Sequence, residues 1–139
     1  RPALRWTLPR WPKRTMPLVA RFADEWNGVG IPADHFRRLN SLLDDLLKEE
    51  GRPLDSVRRT LMTRIIIGRD QDQVDQRRGD ASVDELRERG VLVGTPDQVR
   101  EQLRELEAVG VEVVMLQWLE GLDDIEGLEF MARELIPAS

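Results

Sequence analysis

The sequence predicts an α/β fold built on parallel strands, and three observations predict it. Val57–Ile67 and Val111–Trp118 are β-rich apolar runs of the kind that lie inside a sheet. Amphipathic stripes at helical spacing separate and flank them, and Gly, Pro and capping residues mark the joints. Strands that alternate with helices imply right-handed crossovers and therefore a parallel sheet.

The elements follow in order. The opening RPALRWTLPRWPKR has three prolines, two tryptophans and no period, and reads as an irregular basic arm. Residues 15–23 place Leu18, Val19, Phe22 and Ala23 on one helical face, with Pro17 tolerable only in the first turn. GVGIP at 28–32 is turn material. A clear helix then carries Phe36, Leu39, Leu43 and Leu46 in one stripe, widened by Leu42 and Leu47. Pro32 suits its first position, and Gly51 followed by Pro53 stops it. The strand over 57–67 ends in Ile65-Ile66-Ile67 and Gly68.

Residues 69–90 are polar and carry two short helices. Ser82 and Glu85 form a capping box for the second, and Gly90 closes it. Val91-Leu92-Val93 is a short extended piece. Thr95, Pro96 and Gln98 begin the next helix as cap, first residue and reciprocal cap, and Val99, Leu103 and Leu106 are its buried stripe. After the strand at 111–118, a last helix uses Ile125, Leu128, Met131 and Leu135 and stops before Pro137.

Composition excludes several classes. Of 139 residues, 40% are hydrophobic and 34% charged, which suits a globular chain and not a disordered one. No apolar run approaches the roughly 20 residues that span a bilayer, so no membrane partner is expected. The net charge of −5 hides an asymmetry: residues 1–14 hold Arg1, Arg5, Arg10, Lys13 and Arg14 and no acid, leaving an acidic body. A nucleic-acid binder shows the opposite, so no nucleic-acid partner is expected. The absence of cysteine removes disulfides, thiolate nucleophiles and cysteine-bound metals, and suits a cytoplasmic protein. The neighbouring carboxylates Asp44-Asp45, Glu49-Glu50 and Asp123-Asp124 do not face each other on a helix and are not acid/base dyads. His35, the single histidine, is expected at the surface.

Four stretches together carry a family resemblance: PKRTMPLVARFADEWN (12–27), LMTRIIIGRD (61–70), GVLVGTPDQVREQLRELEAVGVEVVMLQW (90–118) and LDDIEGLEFMARELIP (122–137). In this order and spacing they resemble the C-terminal portion of the luciferase-like monooxygenase family, particularly its deazaflavin-dependent oxidoreductase branch. The resemblance implies a partial TIM barrel of about three βα units with parallel strands, the C-terminal part of a (β/α)8 barrel. Its strands would be 23–27, 57–67 and 112–118. A complete barrel takes about 250 residues. The resemblance further implies a flavin- or deazaflavin-dependent oxidoreductase. FMN or coenzyme F-420 would bind at the C-terminal strand ends and support hydride transfer or monooxygenation of an unspecified small molecule. Residues 12–139 form the single part-barrel domain, and residues 1–11 lie outside the resemblance, as a truncated or frame-shifted gene would leave them.

Within that frame the strand-end rule nominates Trp26 and Asn27, Ile67 and Gly68, and Gln117 and Trp118. Asn27 is expected to contact the flavin or its phosphate-bearing tail, or else to make the turn with Gly28. Trp26 and Trp118 stack on the cofactor or pack the core and rim. Lys13 and Arg14 grip the phosphate at a helix start, or belong to a solvated arm. The family's glycine-rich phosphate turn is missing, since Thr7-Leu8-Pro9-Arg10-Trp11 stands at its place. The alternative to an enzyme is a catalytically inactive half-barrel that acts as a self-associating structural fragment. In both cases open sheet edges are expected to drive homo-oligomer formation, most simply a dimer, with Trp6 and Trp11 covering an exposed face.

Overall fold

The structure, a computed structural model, describes residues 11–119 and 123–137. Its elements run α1 (Trp11–Phe22), β1 (Glu25–Val29), α2 (Ala33–Glu49), one 3-10 turn (Leu54–Ser56), β2 (Arg58–Ile67), α3 (Gln71–Arg78), α4 (Val83–Glu88), β3 (Leu92–Gly94), α5 (Pro96–Ala108), β4 (Val113–Gln117) and α6 (Ile125–Leu135). Every strand pairing is parallel, and β2 is the common partner. It pairs with β1 through 58–62, with β4 through 60–64 and with β3 through 65–67. Among the described residues no helix is long and apolar enough to cross a membrane.

Register and pleat divide the sheet into two faces. Trp26, Leu61, Ile65, Ile67, Val114 and Leu116 point toward the helices. There they join Phe36, Leu39, Leu43 and Leu47 of α2, Val99 and Leu106 of α5 and Met131 of α6 in one core. Burying each of the four α2 side chains stabilises the fold by roughly 1.5–3 kcal/mol. Trp26 packs on Phe36 with ring centroids 4.9 Å apart. The opposite face carries Glu25, Asn27 and Val29 of β1, Arg58, Thr60, Met62 and Arg64 of β2, and Val113, Met115 and Gln117 of β4. It stays largely open, with Met115 41% exposed. Only at its C-terminal end is it covered, where Ile66 meets Val74 of α3, Leu86 of α4 and Val93 of β3 in a second small core.

Two polar groups hold this arrangement from inside. Arg59 is buried at the N-terminal end of β2, where it donates to Asp44 Oδ1 at 3.1 Å, to the Leu54 and Val57 carbonyls at 2.7 and 2.8 Å, and to Asn40 Oδ1. Gln102 is buried on the inward face of α5. Its carbonyl accepts from Val93 N–H at 3.0 Å, and its amide donates to the Val93 carbonyl at 2.8 Å. It therefore ties β3 to α5 by both backbone groups. Gly90 is fixed by space: a Cβ there would lie 2.5 Å from the Ile31 backbone, and its φ is +77°.

Several expectations need correction. Helix α1 begins at Trp11, inside the stretch expected to be irregular, and Pro17 sits in its interior. An interior proline forfeits one helical hydrogen bond. Packing compensates, since Met16 and Ala20 are fully buried and Arg52 caps the Ala20 and Ala23 carbonyls at 2.9 Å each. The buried stripe of α1 is therefore not Leu18 and Phe22, which are 58% and 71% exposed. That segment is apolar at so many positions that periodicity alone could not choose the face. In α6, Ile125 and Leu128 are likewise exposed, while Gly127 and Met131 are buried, because a small residue lets the helix close on Trp118. The strand expected at 23–27 lies at 25–29, and the short extended piece expected at 91–93 is a fourth strand, β3, over Leu92–Gly94. Pro32 is the N-cap of α2 rather than its first residue. Trp6 and the Trp11 side chain, expected on the exposed face, lie outside what the structure describes.

Removing Arg59 strands a carboxylate, an amide and two carbonyls. Arg59→Ala is expected to lower unfolding stability by about 2–4 kcal/mol, read as a shift in urea midpoint at unchanged slope. A loss under about 1 kcal/mol would show that water replaces the guanidinium at no cost.

Candidate functional site

The open sheet face and the C-terminal end of the sheet together make the candidate site. On the face, Asn27 Nδ2 donates to Thr60 Oγ1 at 2.8 Å and reaches Met115 Sδ at 3.9 Å. Thr60 Oγ1 in turn donates to the Glu25 carboxylate at 2.9 Å. A hydroxyl has one hydrogen and a carboxylate only accepts, so Thr60 gives its proton to Glu25 and must accept from Asn27. Both hydrogens of the Asn27 amide are thereby engaged, and Oδ1 remains as an acceptor. Met62 and Met115, partners across β2 and β4, provide a polarisable apolar patch beside it. One step further toward the strand ends, Arg64 and Gln117 are partners in register.

At the end itself, Arg77 of α3 spans to β4 and α6. Its guanidinium lies 5.2 Å from the ring centroid of Trp118, and Nη2 donates to Asp124 Oδ2 at 3.3 Å. Asp124 also caps α6, accepting from Gly127 N–H at 2.9 Å. Arg69, just beyond β2, lies over the Phe130 ring at 5.2 Å. Among the described residues no group of His, Asp and Glu is arranged to hold a metal ion.

The nominated residues part company here. Asn27 lies on the open face, but mid-strand rather than at the strand end, because β1 runs on to Val29. Trp26 points the other way into the helix-side core at 5% exposure and cannot meet a ligand on the open face. Gly68 serves packing: a Cβ there would stand 2.7 Å from Val74 N, so the first turn of α3 fills the space a ligand would need. Ile67 is fully buried in the core. Trp118 is at the C-terminal end, packed under Arg77 and against Gly127. Lys13 and Arg14 are exposed in the first turn of α1, and the missing glycine turn before them lies outside the described residues. Thr95 caps α5 in a complete capping box with Gln98. His35 is half-buried rather than fully exposed, with Nε2 occluded. Burial, and then Arg38, lowers its pKa from the usual 6.5.

No protein-family model matches the sequence, and no curated protein matches it. Solved structures do. A coenzyme F420-dependent tetrahydromethanopterin reductase from Methanopyrus kandleri superposes with a TM-score of 0.73 at 20% identity, over 91% of this chain and 48% of its own. A long-chain alkane monooxygenase gives 0.67 at 16% identity, over 86% of this chain and 38% of its own. A monooxygenase from Streptomyces bottropensis gives 0.66 at 20% identity, over 90% and 43%. These are TIM-barrel enzymes of the luciferase-like monooxygenase family. This chain has the luciferase-like fold.

It spans about half the length of those neighbours or less. In a luciferase-like barrel, strands present one face to the interior and the other to the helices, and the C-terminal ends carry the chemistry. The open face described above is that interior face, so Asn27, Met62, Arg64, Met115 and Gln117 line the barrel side. Trp26 belongs to the outer layer. Thr60, Arg77 and Asp124 were missed by sequence reasoning. Only the alternation of polar residues through RRTLMTRIII could have pointed to Thr60.

Two outcomes follow from this geometry. Gly68→Ala is expected to destabilise by about 1–3 kcal/mol through displacement of α3, read by urea unfolding. A neutral variant would mean that α3 is not seated on the strand end. For His35, a lowered folded-state pKa means that the unfolded chain binds the proton first. Its contribution is present above about pH 6.5 and is lost as pH falls toward the folded value. His35→Gln should flatten the fall in urea midpoint over that window, and an unchanged slope would exclude His35 as its source.

Proposed function

We propose that this chain forms one wall of the active site of a luciferase-like oxidoreductase that uses the F-420 deazaflavin or FMN for hydride transfer or monooxygenation. The observation that carries this reading is the open interior face of the sheet, which combines an oriented amide acceptor, two thioethers and an arginine–glutamine pair. These residues fit one side of a flat heteroaromatic cofactor. Asn27 Oδ1 accepts from a ring N–H or a ribityl hydroxyl, and Met62 and Met115 lie against its apolar body. The bound cofactor supplies the hydride or the activated oxygen. The chain contributes orientation, through the Glu25–Thr60–Asn27 relay, and exclusion of water from one side. Lys13 and Arg14 are the exposed cations available to a phosphate tail.

A second reading has an observation of its own. Among the described residues β1 and β4 each pair with β2 alone, so both have a free edge. The described residues also expose apolar side chains: Val29 and Met115 on the strands, Leu18 and Phe22 on α1, and Ile125 and Leu128 on α6. In this reading the chain is a non-catalytic part-barrel that self-associates, most simply as a two-fold dimer.

Fluorescence titration of the purified chain with FMN and with F-420 separates the two. The first reading expects saturable micromolar binding, weakened about five- to ten-fold in Thr60→Val because Asn27 loses its orientation. Absence of binding at about 100 µM of either cofactor would sink it. Light scattering at micromolar protein tests the second, which expects a dimer; a well-folded monomer would overturn it.

A further inference from the structure

Two donors at the C-terminal end of the sheet are buried with no acceptor. Arg77 Nη1 and Trp118 Nε1 have no hydrogen-bond partner among the described residues. Guanidinium and indole N–H groups can only donate, so neither can satisfy the other, although the guanidinium lies 5.2 Å from the ring centroid. The nearby carboxylate is already committed. Asp124 meets Arg77 through Nη2 alone, at a long 3.3 Å, and its other oxygen caps α6. Arg77 therefore presents half of a fork whose geometry suits two oxygens of one group.

We infer that Arg77 and Trp118 bind an oxyanion, a phosphate or carboxylate group of a small-molecule ligand, at the C-terminal end of the sheet. The local charge favours this over a neutral carbonyl. Arg69, over the Phe130 ring, stands near the same strand end, and Asp70 uses a carboxylate oxygen to cap α3 at Gln73 N–H. Access is from the Asp124 side: the Arg77 side chain is 15% exposed and that of Asp124 34%, so both lie just under the surface. A small displacement of Asp124 brings an entering oxygen to Nη1 while Nη2 keeps its bond. As a grip on substrate or cofactor this inference rests on the oxidoreductase reading, whereas the binding of the oxyanion does not.

The test follows the Trp118 indole N–H resonance in the 139-residue chain, identified by its loss in Trp118→Phe. Inorganic phosphate and acetate are titrated, each against sodium chloride at equal ionic strength. The resonance should move saturably in the millimolar range. Arg77→Gln should weaken binding at least ten-fold, and Asp124→Asn should tighten it several-fold by removing the competing charge while keeping the helix cap. Movement no greater than with chloride, in both the natural chain and Asp124→Asn, would mean that the donors hold a bridging water only, and would overturn the inference. So would binding unchanged by Arg77→Gln. If that variant does not fold by circular dichroism, the Asp124→Asn arm decides alone. FMN that competes with phosphate for the shift assigns the oxyanion to the cofactor; FMN that binds without competing assigns it to a substrate. Failure of both FMN and F-420 to bind refutes the oxidoreductase reading and leaves the phosphate result standing.

Discussion

The parallel pairing of β2 with every other strand is the constraint on which the rest of the structure depends. A strand with neighbours along its whole length must satisfy its backbone in the sheet, and its side chains must suit two different surroundings. Over ten residues β2 changes character along its length. At its start Arg59 is buried in a net of carbonyls and the Asp44 carboxylate, which fixes the strand to α2 and to the turn before it. In its middle, Leu61 and Ile65 supply the helix-side core while Thr60, Met62 and Arg64 stay on the interior face. At its end Ile65-Ile66-Ile67 is apolar on both sides, because α3 and α4 fold over the interior face there. The polar net around Arg59 and the doubly covered apolar run Ile65-Ile66-Ile67 thus hold the two ends of the strand, and the open face lies between them.

That division explains how much of the molecule was legible in its sequence. The parallel α/β fold, the long apolar strand, the stop at Gly51 and the two capping boxes follow from local rules, and local rules suffice because each is made by residues a few positions apart. Faces were harder. In α1 and α6 apolar residues occupy too many positions for a period to choose among them, and tertiary packing chose small residues, Ala20 and Gly127, for close approach. The site was the least legible. Register decides it: a shift of two residues in β1 moves Asn27 from the strand end to mid-strand, while pleat alone sends Trp26 to the core and Asn27 to the open face. Gln102 interrupts an otherwise apolar stripe at Val99, Leu103 and Leu106, and sequence alone gives no sign that Val93 is its partner.

Arginine carries most of the long-range order that sequence could not show. Arg52, Arg59, Arg77 and Arg100 each join elements distant along the chain; Arg100, for example, donates to the Glu134 carboxylate and carbonyl at 2.7 and 3.0 Å and so ties α5 to α6. A planar fork with five donors can hold a carbonyl and a carboxylate at once, which a lysine cannot. In three of the four the donors at hand are met by backbone or acid and the role is structural. Arg77 differs because its net is incomplete.

The same reasoning connects the two halves of the candidate site. Trp118 is pinned between Arg77 and Gly127, and Asp124 both pairs with Arg77 and starts α6. The position of α6 over β4 is therefore set by the cluster whose donors lack an acceptor. An oxyanion that completed the cluster would draw on the Arg77 and Trp118 donors and compete with Asp124 for Arg77, and so would bear on α3, β4 and the start of α6. Met115, two residues before Gln117 on the same strand, touches the Asn27 amide that faces the proposed cofactor. Strand β4 thus joins the Arg77–Trp118 cluster at its end to the Asn27 amide beside its middle. Its residues are half-buried or exposed throughout, so it is less tightly held than β2, most of whose residues are buried.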